Sequence, residues 1–176
     1  MSMKLLVLFT VSMATSASTN PLPKGLIGGW VGTLEYRDYS DDSREKLGTL
    51  LRIYKHEGDD RLVFRYVYDD GPHKVVQDED LVQIDEAKNS YVQFSSDGKE
   101  SDRYAITGLA GLTDGGFGTF LLSGKGTENG VSVVVRETFR IQSDCLDILR
   151  ESKLPGKSWL FRHEFSFKRV TQPKAK

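Results

Sequence analysis

The sequence predicts an all-β fold, an antiparallel up-and-down β-barrel of about eight to ten strands. Three observations lead there. Short apolar/polar alternations recur from residue 28 onward, and clusters of Gly, Asp, Asn and Pro interrupt them at roughly 10- to 15-residue intervals. No segment between those clusters carries the 3.6-residue period of a crossover helix, so neighbouring strands must be joined by hairpins. Closure of such a meander removes the exposed sheet edges that would otherwise invite aggregation.

Composition sets the outer bounds. A chain of 176 residues with 38% hydrophobic and 10% aromatic content suits one domain with a packed core. With 24 basic and 25 acidic side chains the net charge is -1, and no Lys/Arg-rich block occurs, so the footprint of a nucleic-acid partner is missing. Cys145 is the sole cysteine, which excludes an internal disulfide and any paired-cysteine metal site, and it reads as a buried, inert thiol.

The elements follow in order. Lys4, the apolar run Leu5 to Val11 and small residues ending at Ala17 have the layout of a signal peptide over 1–17. That run is shorter than the roughly 20 residues a bilayer span needs, so removal of the signal leaves no integral membrane segment and implies a secreted or periplasmic protein. A brief helical turn is possible at 22–27. The barrel domain occupies 25–170, and 171–176 form a disordered tail. Strands are expected near 28–38, 47–57, 61–69, 73–85, 89–95, 102–113, 117–127, 131–142, 145–153 and 158–170. Between them stand turn sequences such as Gly58-Asp59-Asp60, Asp70-Gly71-Pro72, Asn129-Gly130 and Leu154-Pro155-Gly156-Lys157. Two strands show which face is inward: Val133, Val135, Glu137, Phe139 and Ile141 share one side, as do Trp159, Phe161, His163, Phe165 and Phe167. Glu137 and His163 interrupt otherwise apolar faces, and a buried polar group needs a partner or a ligand.

Gly28-Gly29-Trp30 at the start of the first strand resembles the G-x-W signature of lipocalins, and the chain resembles the wider calycin superfamily, including bacterial exported proteins of unknown function. The resemblance implies a barrel holding a small ligand, with Gly28, Trp30 and Arg169 as the structural signature and Trp30 paired with Arg169 near the end of the last strand. Nitrobindins, the haem-binding barrels of that superfamily, open with a similar Gly-Trp-Gly pattern. That likeness implies an alternative in which haem is the cofactor and His163 its axial ligand.

The Trp30–Arg169 pairing places Leu34 opposite Phe165 and Tyr36 opposite His163. A tight turn over Pro155-Gly156 places Arg150 beside Phe161 and Ile148 beside His163, and the preceding hairpin places Glu137 opposite Arg150. The expected ligand-binding set is therefore Tyr36, Glu137, Arg150, Phe161, His163 and Phe165. In this reading Glu137 and Arg150 either satisfy each other, or Arg150 and Tyr36 hold the polar head of a small hydrophobic or amphipathic molecule. No cofactor and no metal are required. His56 and His73 fall at strand ends or loops, and the acidic clusters, Asp78-Glu79-Asp80 among them, read as solvated loop tips because they lack calcium-loop spacing. No Gly-x-Ser-x-Gly, His-Glu-x-x-His or P-loop pattern appears, and adjacent His163 and Glu164 face opposite sides of a strand. The sequence therefore favours a binding barrel without catalysis, with a filled-core protein-interaction scaffold as a further alternative.

Overall fold

Each alternating segment is a strand and each turn cluster reverses the chain. The computed structural model describes residues 22–38 and 41–171; the expected signal at 1–17, and the expected tail apart from Thr171, lie outside them. A short helix α1 (Leu22–Leu26) precedes β1 (Gly28–Arg37), β2 (Arg44–Lys55), β3 (Leu62–Asp69), β4 (Val75–Asp85) and β5 (Ser90–Phe94). Then come β6 (Glu100–Thr107), a 3-10 turn at Leu109–Gly111, β7 (Gly118–Glu128), β8 (Val131–Ile141), β9 (Cys145–Lys153) and β10 (Leu160–Arg169). Every strand pairs antiparallel with its sequence neighbours, and β1 pairs with β10 to close the barrel. The largest departure from the expected boundaries is at β6, which ends at Thr107 because Gly108 takes a positive φ and starts the 3-10 turn. Among the described residues no helix is long and apolar enough to cross a membrane.

The registers show how local chemistry fixes the whole. Asn129 and Gly130 both adopt positive φ, the conformation of a two-residue hairpin turn, and Glu128 faces Val131 directly across it. The β1–β10 seam runs from Trp30↔Arg169 through Leu34↔Phe165 to Tyr36↔His163. Gly32 lies in that seam, where a Cβ would overlap the carbonyl oxygen of Ser166 and come within 2.8 Å of the Phe167 Cα, so only glycine permits the approach.

One end of the barrel is filled and capped. Trp30, Phe64, Phe120, Phe139, Leu122 and Leu146 are fully buried, and Leu22 and Leu26 of α1 close over them. The Trp30 indole donates to the Leu26 carbonyl at 2.9 Å. The Arg169 guanidinium lies 4.0 Å from the centroid of the Trp30 ring and donates to the carbonyls of Gly25 (2.6 Å), Ile27 (2.9 Å) and Ser143 (2.8 Å). It thereby satisfies carbonyls at the end of α1 that have no helical partner, while the ring contact adds about 0.5–2 kcal/mol. Gly28, Trp30 and Arg169 thus sit together at this closed end.

Candidate ligand-binding site

Toward the opposite end the inward positions change from apolar to polar. On β4 the inward series Ile84 and Val82 continues as Asp80 and Asp78, because β3 and β4 stay in register with Leu62↔Val82, Phe64↔Asp80 and Tyr66↔Asp78. Gln93 and Asp102 are paired across β5 and β6, and Glu137, Arg150 and His163 are neighbours across β8, β9 and β10. These groups stand above the aromatic rings of Tyr66, Tyr91, Phe139 and Phe165, and between them is a cavity of about 160 Å³. A second hollow of about 270 Å³ adjoins it, lined by Leu34, Tyr36, Leu47, Tyr68, Asp70 and Val76. Tyr68 borders both spaces.

Glu137 is 8% exposed and accepts an ion-paired hydrogen bond from Arg150 Nη1. Burial pushes the Glu137 carboxyl above its ordinary value, and the Arg150 charge opposes that rise. Asp80 is pushed up to about 6, first by burial and then by the negative charges of Asp78 and Glu137. His163 moves down to about 4, chiefly by burial and secondarily by Arg150, and is a neutral imidazole at physiological pH. Its ring meets Phe165 edge-on with centroids 5.3 Å apart.

Several of these polar groups have no hydrogen-bonding partner among the described residues. Tyr66 and Tyr91 line the cavity at 7% and 3% exposure, and burial and nearby acidic groups, with no hydrogen bond, lift their phenol pKa values. The Asp80 carboxylate and the His163 ring are likewise without one. Among the described residues, the side-chain atoms fully buried without a hydrogen bond lie elsewhere, at His56 Nδ1 and Glu86 Oε1. The Tyr66 and Tyr91 hydroxyls, the Asp80 carboxylate and the His163 ring instead face the cavity, where water or a ligand can reach them.

Four of the six residues expected from sequence come together here: Glu137, Arg150, His163 and Phe165 line the cavity. Tyr36 pairs with His163 as expected but belongs to the adjoining hollow. Phe161 is a correction. A β-bulge between Phe161 and His163 shifts the register, so that Arg150 faces His163 and Phe161 faces Glu151. The Phe161 ring lies on the outer surface, 3.9 Å below the Arg44 guanidinium, and Glu151 pairs with Arg136 beside it. Trp159 is displaced with it, stacked under Arg136 at 4.1 Å. The bulge instead brings Arg162 to Ser152 Oγ (2.6 Å) and to the Glu128 carboxylate, a second polar group near the mouth.

A second correction concerns the acidic run. Asp78 and Asp80 are not loop tips; they lie in β4, where alternation with Gln77 and Glu79 turns them to the cavity side, Asp80 half-buried and Asp78 still exposed at its rim. Together with Asp102, Gln93, Tyr66 and Tyr91 they are the site residues that reading the sequence missed. The signal that finds them is parity carried back along β4 from Val82 and Ile84. Among the described residues no three His, Cys, Asp or Glu side chains are grouped to hold a metal ion. The haem alternative does not fit either. His163 faces about 160 Å³, with Phe165 against its edge and Arg150 in the same cavity, and a macrocycle stacked on the imidazole has no room.

The chain forms a closed ten-strand up-and-down barrel with an arginine-tethered tryptophan at its capped end. Among solved structures the chain is similar to an S-type phycobiliprotein lyase, CPES, from Guillardia theta, with a TM-score of 0.56 and 11% identity over 86% of this chain and 92% of that one. It is also similar to a protein of unknown function from the DUF3598 family of Nostoc punctiforme, with a TM-score of 0.51 and 19% identity over 88% of this chain. The chain spans about half of that protein, 53% of its length. No protein-family model and no curated protein matches the sequence.

Proposed function

We propose that this barrel binds a small amphipathic molecule through its open end and does not act on it chemically. The polar end of the ligand occupies the cavity between Asp80, Tyr91 and His163, and its apolar part lies in the hollow lined by Leu34, Leu47 and Val76. One observation carries this reading: Tyr66, Tyr91, Asp80 and His163 converge on one partly open cavity inside the barrel. A mainly apolar ligand, which the sequence favoured, suits the interior less well, because the capped half is filled by its own aromatic and aliphatic side chains. The likeness to a phycobiliprotein lyase is one of fold. The N-terminal residues support export, with cleavage after Ala17, and the intact mass of the protein recovered from its cells tests that part.

Native mass spectrometry of the purified protein, followed by NMR on its tyrosine and histidine signals, tests the binding. A co-purifying mass whose removal shifts Tyr66, Tyr91 and His163 is expected. A protein that carries nothing, and whose interior signals respond to no member of a chemically varied small-molecule set, is a filled-core scaffold instead.

A further inference from the structure

The charge around the cavity is one-sided. Asp78, Asp80, Asp102 and Glu137 all sit on inward positions at this end, whereas Arg150 supplies the one guanidinium lining the cavity and is already held by Glu137. Arg162, further up, is likewise matched by Glu128. His163 is neutral and adds no positive charge. A carboxylate or phosphate entering here would meet Asp80 and Asp78 with no free cation to receive it. Of the two roles the sequence left open for Arg150, the structure has the one in which it pairs with Glu137.

The cavity's open valences point the same way. The buried Tyr66 and Tyr91 hydroxyls can accept hydrogen bonds, and the Asp80 carboxylate can only accept them. Resting on the interior-binding reading above, we propose that the ligand is a protonated amine with an apolar body, its ammonium bound between Asp80 and the hydroxyls of Tyr66 and Tyr91. An N–H-bearing cation donates to all three acceptors, which a quaternary ammonium does not. The burial and like charges that lift Asp80 are the cost that such a cation offsets.

Three probes of matched shape separate the possibilities: 2-phenylethylamine, 2-phenylethanol and 3-phenylpropanoate, titrated into the whole protein at pH 7.5 and followed by NMR. The amine is expected to bind at least tenfold more tightly than the alcohol, to shift Tyr66, Tyr91 and Asp80, and to exceed the carboxylate by more. Asp80→Asn should remove that tenfold preference, and Tyr91→Phe should weaken the amine severalfold. Equal or tighter binding of the carboxylate, or an amine preference that survives Asp80→Asn, overturns the ammonium assignment and leaves interior binding standing. A protein whose interior signals respond to none of the three overturns both.

Discussion

Replacing Asp80 with Asn should make this protein more stable at neutral pH, although it removes a charged group from the candidate site. In the folded state the Asp80 carboxyl lies at about 6, against an ordinary value of 3.8. Between those values the native chain binds more protons than the unfolded one, so stability falls as pH rises through the interval and stays reduced above it. The gap corresponds to about 3 kcal/mol, and because Asp80 keeps some contact with water, about 1–3 kcal/mol is the expected gain for Asn at pH 7.5. Near pH 4 both side chains are neutral in the fold and the gain should vanish. Urea unfolding at the two pH values measures it, and with a slope of about 1–3 kcal/mol per molar the midpoint at pH 7.5 should rise by about 1 M. An Asn variant that is less stable at pH 7.5, or whose gain is the same at pH 4, would show that Asp80 is neither desolvated nor repelled by its neighbours.

His163 works in the opposite direction: its folded pKa of about 4 lies below the ordinary 6.5, so its contribution is complete above 6.5 and lost as pH falls toward 4. NMR titration of the native imidazole should show no protonation at pH 6, and His163→Gln should blunt the fall in stability on acidification. Arg150→Met strands the buried Glu137 and should cost about 3–5 kcal/mol, while the double variant Glu137→Leu with Arg150→Met should recover most of it in denaturant unfolding. A single variant near wild type would mean that the pair is well solvated. Gly32→Ala forces a Cβ into the Ser166 carbonyl and should destabilise the β1–β10 seam by about 3 kcal/mol, which thermal unfolding can read. A neutral result there would mean that the two strands have room to part.

The architecture was legible because a period of two is a strong signal when turns are well marked. Asn129-Gly130 marked its turn, the Trp30–Arg169 pairing set the β1–β10 register to the residue, and Glu137 and Arg150 were matched correctly across a short connection. What alternation cannot show is an inserted residue. The bulge before His163 breaks no composition rule, yet it turns Phe161 outward, brings Arg150 to His163 and sends Arg162 to Glu128. The acidic stretch of β4 misled for another reason. Three consecutive acidic residues look solvated, and only the pairing of Phe64 with Asp80 and Tyr66 with Asp78 shows that two of them point inward. The polar cavity is built from that kind of exception to hydrophobic patterning.

The β1–β10 seam also has a bearing on time. Trp30 cannot meet Arg169 until nearly all of the described chain is available, so barrel closure joins contacts 139 residues apart in sequence (169 − 30). Such long-range pairing is slow to form, because the entropy of closing the loop is lost before the contacts that reward it exist. The hairpins can assemble one after another as the chain lengthens, but the wall that holds His163 opposite Tyr36 is completed only by the last strand. The cavity is therefore a product of closure: a chain stopped short of β10 would have most of the acidic wall and no enclosed space to put beside it.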